Sequence, residues 1–471
     1  MSRLAMSLYR HIFRKLIILV LLGILFSACR ITHRYKPPTL PEGNLYRDSI
    51  NSGDTTNLAQ LQWRELFKDT ILQRLIAEGI AHNFDLQVAY TRIAQAEASF
   101  RQSRAAFWPT LNGNATFTES RLSEAQGFGI RTRATQYQIG VSTSWEIDVW
   151  GKLRSNRRAN LANLLRSEAA ARTVQSILVT SIATTYFQLL ALDAQLKITE
   201  QTVHYWDTTV QTMRALKDAA VVTGAAVVQS EAQRYGAEVT IPDIKQRIRE
   251  TENALSILLG TTPRSIERTT LDEQQTVDVL NTGIPFQLVA FRPDVQEAEL
   301  SFRNAFELTN VARTQFYPSL TINGSAGYSS LSWAELFDPN SLAASIAAGL
   351  IQPIFNQRAV RTRYEIAHAQ QREAFFNFQR IVITAGQEVS DAVSLHQRAL
   401  EKIEIRKDQI LSLQRSVQYS NELLQNGFAN YTEVIQARQS LLQAELGSVN
   451  DQLQRLQATV ELYRALGGGW R

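Results

Sequence analysis

Few side chains in this 471-residue sequence have the types and spacing that chemistry requires. The six histidines are His11, His33, His82, His204, His368 and His396, and no two stand four apart as a helical metal-ligand pair would. No glycine-rich phosphate loop and no serine elbow is found, so no catalytic residue, metal site or cofactor is assigned. His204, His368 and His396 read as helix-surface residues. Cys29 is the sole cysteine, which rules out a disulfide within one chain. What remains is a pair of carboxylates, Glu146 and Asp148, two apart on an alternating stretch.

Cys29 gains meaning from what precedes it. A basic start with Arg3, Arg10, Arg14 and Lys15 leads into LIILVLLGILF (16–26), then Ser27 and Ala28. Eleven residues make about 17 Å of helix, short of the ~30 Å hydrocarbon core, so this is a secretory signal rather than an anchor. LFSAC resembles a bacterial lipobox, with Cys29 as the acylated, palmitate-bearing first residue of a lipoprotein; the alternative is an incidental thiol beside a cleavage site. The polar, Pro-rich RITHRYKPPTLPEG that follows suits a tether. Removing the signal takes away four of the five net positive charges. The basic balance therefore does not point to nucleic acid, and no basic run with interleaved aromatics appears elsewhere.

The carboxylate pair sits in QYQIGVSTSWEIDVWG (136–151), where Tyr137, Ile139, Val141, Trp145, Ile147 and Val149 alternate with polar residues. Two-faced strands are also written in 110–118 and 319–329, and less cleanly in 341–355. Such strands serve a half-solvated sheet or a membrane barrel with its apolar face in lipid and its polar face toward a lumen. Trp145, Trp150, Trp108, Tyr317 and Phe355 near strand ends resemble an interfacial girdle. In an exported protein that favours the barrel. Tyr137, Ile139, Val141 and Trp145 are then lipid-facing, and Glu146 and Asp148 lumen-facing.

The chain also reads twice. Asp85, Gln87 and Ala89 recur as Asp294, Gln296 and Ala298, and Phe107, Trp108 and Pro109 as Phe316, Tyr317 and Pro318, at an offset of 209. Val227, Val228 and Gln229 recur as Val434, Ile435 and Gln436 at an offset of 207. Each half gives a helix, two strands and one very long helix, followed by a helix ending at Leu-Gly. The runs 152–223 and 356–426, interrupted only by Gly386, would each span about 105 Å if helical. Helices that long need lateral partners. Four strands cannot close around a lumen, and an open edge cannot sit in lipid. Two chains would give eight strands, filled by side chains; three give twelve, with room for a channel.

Taken together, YKPP (35–38), WRELFKDTILQRLI (63–76), NFDLQVAYTRIAQAEA (83–98), SWEIDVWGKLR (144–154), FRPDVQEAEL (291–300), QFYPSL (315–320), QPIFNQR (352–358) and LYRALGGGW (462–470) resemble the TolC-type outer-membrane efflux proteins. The likeness is to the lipoprotein branch that serves RND multidrug pumps, and it covers nearly the whole mature chain. It implies a mainly α fold with a membrane β-barrel part. The assembly would be a homotrimer whose twelve-stranded β-barrel continues into a long periplasmic α-helical barrel. The function implied is a passive exit duct in the outer membrane, with a periplasmic adaptor and an inner-membrane RND transporter as partners.

The resemblance also divides the chain: a signal peptide (1–28), an anchored segment (29–62), a first repeat (63–260, strands within 110–150), an equatorial linker (261–290), a second repeat (291–467, strands within 319–355) and a tail (468–471). Hairpin tips near 219–226 and 425–431 would meet the adaptor through Val221, Val222, Thr223, Gly224, Gly427, Phe428 and Ala429. Ala220 stands where the second tip has Gly427, and Gly224 is the expected substitute. The aperture positions fall on Glu433 and Gln436, with only one acid retained. A ring of three Glu433 would attract cations. Two other readings remain open: a duct for ABC-dependent protein secretion, and a lipid-anchored coiled-coil scaffold that spans no membrane.

Overall fold

The computed structural model describes residues 31–38, 61–121, 133–274 and 292–470. Cys29, the signal segment and most of the anchored segment lie outside the described residues, as does part of the linker. Two compact units emerge.

The first unit gathers residues 31–38 with Ile93–Arg166 and Ala298–Phe378. Its strands are β1 (Thr110–Arg121), β2 (Arg133–Ile147), β3 (Ser319–Ser330) and β4 (Leu342–Ile351), antiparallel in sequence order. The register turns the period-two pattern into two continuous faces. Phe117 pairs with Tyr137, Ile139 with Tyr328, Trp145 with Ile322 and Leu320 with Leu350 on the apolar face. Thr116 pairs with Gln138, Ser142 with Ser325 and Glu146 with Thr321 on the other. Midway, Gly140 lies opposite Gly327. A Cβ on Gly327 would fall 2.4 Å from the Ile139 carbonyl oxygen, so only glycine allows this approach.

Flanking helices fix this unit's foot. The helix α3 (Phe84–Ala105) leads into β1, α4 (Lys152–Asp218) follows β2, α7 (Pro293–Thr314) leads into β3 and α8 (Ala359–Gln425) follows β4. Within the unit, Arg158 of α4 grips the buried Glu307 of α7 through bonds of 2.7 and 3.0 Å. The N-terminal strap lies on α7. His33 exchanges two bonds with the Asn310 side chain, and the Tyr35 hydroxyl donates to Glu299 at 2.7 Å while its ring packs between Phe302 and Phe306.

The second unit holds α1 (Trp63–Leu66), α2 (Thr70–His82), α5 (Gly224–Glu238), α6 (Thr240–Leu258) and α9 (Tyr431–Ala465), with most of α4 and α8. Among described helices, α4 is the one long and apolar enough to cross a membrane. Its apolar stretch, however, supplies Ile182, Tyr186, Leu189 and Leu190 to a core shared with Leu72, Ile76, Leu255 and Tyr463, so it is core rather than a span. The sequence suggests one return helix in each half. The second is unbroken, whereas the first breaks at Val239, ahead of Pro242, whose missing N–H interrupts the ladder.

Candidate functional site

The candidate surfaces are the two helix turns, the start of α9 and the two faces of the sheet. Both turns close by one pattern. Ala220 N donates to Lys217 O at 2.9 Å and Val221 N to Leu216 O at 2.8 Å; Gly427 N donates to Leu424 O at 3.1 Å and Phe428 N to Leu423 O at 2.9 Å. These are the paired bonds of a Schellman end, which needs a left-handed residue. Ala220 supplies it itself, at φ +56°. The expected substitute, Gly224, is instead the first residue of α5, with no left-handed φ. Next in the chain come the exposed apolar side chains Val221 (67%) and Phe428 (82%). Thr223 and Gly427 are exposed and Ala429 is partly covered. Val222 departs from the expected surface: it packs against Trp206, Met213, Val227, Tyr431 and Ile435.

Glu433 and Gln436 are both exposed on α9, because Val434, Ile435 and Ala437 take the buried side. Glu433 sits in the first helical turn, where the helix dipole favours an acid, behind an Asn430 cap that accepts from Thr432 N at 2.7 Å. It makes no ion pair among the described residues. Three polar contacts near this turn were not legible in the sequence. The Tyr431 hydroxyl shares a buried 2.6 Å bond with Ser230, Gln439 donates to Gln233 at 2.6 Å, and the Arg438 guanidinium lies 3.8 Å from the Tyr205 ring centre. Burial pushes the Tyr431 pKa up, so this hydroxyl stays protonated. No local pattern encodes partners about two hundred residues apart.

On the sheet, the register sets Tyr137, Ile139, Val141 and Trp145 on the apolar face. Tyr137 is half-buried between Phe117 and Trp333. The others are exposed, as are Leu350 and Ile346, the latter to 82%. An apolar face this continuous requires lipid or protein against it. Trp145 and Trp150 anchor its foot, donating from their indole N–H groups to Phe107 O and Pro318 O at 2.9 and 2.7 Å. Both outer edges, on β1 and β4, are unpaired among the described residues.

The acid pair is not what alternation suggests. Glu146 is on the polar face, and both its oxygens accept from Lys152 Nζ at 2.9 Å. The strand ends at Ile147, so Asp148 is not a strand residue. Its carboxylate accepts from Leu153 N and Arg154 N at 3.0 Å each and from Arg154 Nε, and its side chain is only 8% exposed. It caps α4 rather than facing a lumen, because the helix's first N–H groups need an acceptor. Among the described residues, no three His, Cys, Asp or Glu side chains are grouped to hold a metal ion.

Comparison with known proteins adds a family. A family model described as "Outer membrane efflux protein" matches residues 75–261 and 285–468. The cation efflux system protein CusC of Escherichia coli O6:H1 is 29% identical over 458 residues, which is 95% of this chain and 97% of that protein. The solvent efflux pump outer membrane protein SrpC of Pseudomonas putida is 28% identical over 457 residues, again 95% and 97%. A crystal structure of CusC matches with a TM-score of 0.84 at 26% identity, over 94% of this chain and 100% of that one. A membrane protein from Pseudomonas aeruginosa gives 0.87 at 26%, over 94% and 98%.

Proposed function

Because this chain belongs to the outer membrane efflux protein family, we propose that three copies close their four-stranded sheets into one twelve-stranded barrel, the exit duct of a tripartite efflux system. An inner-membrane RND transporter and a periplasmic adaptor deliver small molecules to it, and the duct itself supplies no energy. One observation carries the reading: a sheet with one apolar face, one polar face and two edges that are unpaired among the described residues. In lipid an open edge leaves backbone groups unsatisfied at several kcal/mol each, so pairing β1 of one copy with β4 of the next removes the cost. The exposed side chains beside the two turns, Val221 and Phe428, are the adaptor contacts in this reading, and Glu433 lines the aperture. Cys29 carries the lipid. CusC and SrpC are named for cations and solvents, so kinship supports efflux without naming a cargo.

The test is a photo-crosslinking residue at Phe428, in cells, with mass spectrometry of what it captures. An adaptor encoded beside an RND pump is the expected product. An adaptor of an ABC exporter would move the function to protein secretion. Easily washed monomers in place of heat-resistant, detergent-extracted trimers would sink the barrel.

A further inference from the structure

The polar face of the sheet is unusual in its charge. Of the residues that the register places on it across all four strands, Glu146 alone is charged; the rest carry hydroxyls, amides or small side chains, apart from Ile351. Glu146 is not left bare. The Lys152 ammonium lies 2.9 Å from both carboxylate oxygens, with 41% of the Lys152 side chain and 31% of the Glu146 side chain exposed. Lys152 opens α4, where the positive end of the helix dipole disfavours a cation. Helix stability therefore does not account for a lysine here, whereas neutralising Glu146 does. The next acid, Asp148, is taken by Arg154 and the backbone of α4. Arg363 lines the same cavity of about 290 Å³ at the sheet's foot as Glu146 and Lys152, and it makes no ion pair among the described residues. At this level, cations at least match carboxylates.

We infer that Lys152 is a specificity-determining residue, which keeps the strand-lined passage free of net negative charge and so open to anionic and uncharged solutes as well as cations. This rests on the duct reading above. In a trimer, three bare Glu146 carboxylates would form a ring that attracts cations and repels anions; three neutralised ones do not. The pair is partly exposed, so its contribution to stability is small and its variants should fold.

The experiment uses full-length trimers in planar bilayers under a potassium chloride gradient, with the potassium-to-chloride permeability ratio read from the reversal potential. Glu433→Gln is the background, so that the aperture acid does not set the ratio. With Lys152 intact, neither ion is favoured. Lys152→Met shifts the ratio severalfold toward potassium, and adding Glu146→Gln returns it. Strong cation preference with Lys152 present, or an unchanged ratio in Lys152→Met, overturns the inference and leaves the duct standing. Folded, heat-resistant trimers that pass no current at all overturn the duct reading and this inference with it.

Discussion

Ala220 and Gly427 occupy the same turn position 207 residues apart and share a left-handed backbone, at φ +56° and +74°. Gly260 and Gly467 repeat the relationship at the other ends of the return helices, at φ +70° and +90°, each donating three residues back. All four helix ends use one motif, and Ala220 alone lacks a glycine. A left-handed residue with a Cβ costs roughly 1–2 kcal/mol.

Ala220→Gly should therefore strengthen the first turn by about 1 kcal/mol, and Gly427→Ala should weaken the second by as much. Amide hydrogen exchange at Val221 and Phe428 reads both. Equal or faster exchange at Val221 in Ala220→Gly would show that the strain is absent.

Gly140 and Gly327 face each other across β2 and β3, and a Cβ on either would meet backbone atoms under 3.0 Å away. Backbone cannot rotate aside as a side chain can. Gly327→Val should cost more than the ~1–3 kcal/mol of ordinary overpacking and lower the yield of heat-resistant trimers. Gly349→Val on the same face has open space and is the control. Matching yields from the two variants would remove the close-approach argument.

Ile139 and Val141 lie on the apolar face, partners of Tyr328 and Ala326. If lipid covers that face, Ile139→Arg or Val141→Arg should cost about 2–4 kcal/mol near the bilayer midplane, falling toward the interfaces. Arginine at Gln138, one residue away on the polar face, should cost far less. Urea titration of refolding into vesicles measures all three. Equal penalties at Ile139 and Gln138 would mean that the two faces do not meet different media.

Much of this was written in the sequence because its signals were local and periodic. Alternation set the faces of β2, a Gly/Pro-free run and one broken only by Gly386 gave α4 and α8, and the family resemblance, aligned through the duplication, located both turns. The misreadings have physical causes. Alternation continues through Asp148 after the strand has ended, because a residue's type does not reveal that a free helix N–H will capture it. Gly224 is the residue that alanine's poor left-handed propensity favours for this turn, yet the two Schellman bonds hold Ala220 there. Val222 reads as a surface residue within AAVVTGAA but packs against the buried cluster that includes Trp206 and Tyr431. Ser230–Tyr431 and Glu146–Lys152 depend on tertiary placement and on a turn that composition does not specify.

Asp69 concentrates polar interactions in the helical unit. One oxygen caps α2 through Ile71 N and Leu72 N, at 2.8 and 3.2 Å. The other accepts from Tyr186, Thr269 and Gln274 at 2.8, 2.6 and 2.9 Å. Burial alone would raise its pKa, but the bonds from Thr269, Gln274 and Tyr186 outweigh it and hold the carboxyl below its ordinary value. Burial, helped by Asp69, pushes the Tyr186 hydroxyl up to about 12, so it remains a donor at neutral pH. A depressed folded pKa stabilises above the unfolded value, near 3.9, and that contribution is lost as pH falls through the folded pKa. Thermal stability should accordingly fall below about pH 4. Asp69→Asn should lower stability at pH 7 and flatten that acid slope. Part of the slope must remain, because Asp294 is also depressed: burial raises it, but Arg292 at 2.7 Å lowers it more. Asp69→Ala should lose at least the ~1 kcal/mol of a helix cap even where pH has no effect. An acid slope as steep in Asp69→Asn as in the parent would show that the carboxylate's charge, as distinct from its oxygen atoms, contributes nothing to holding this network.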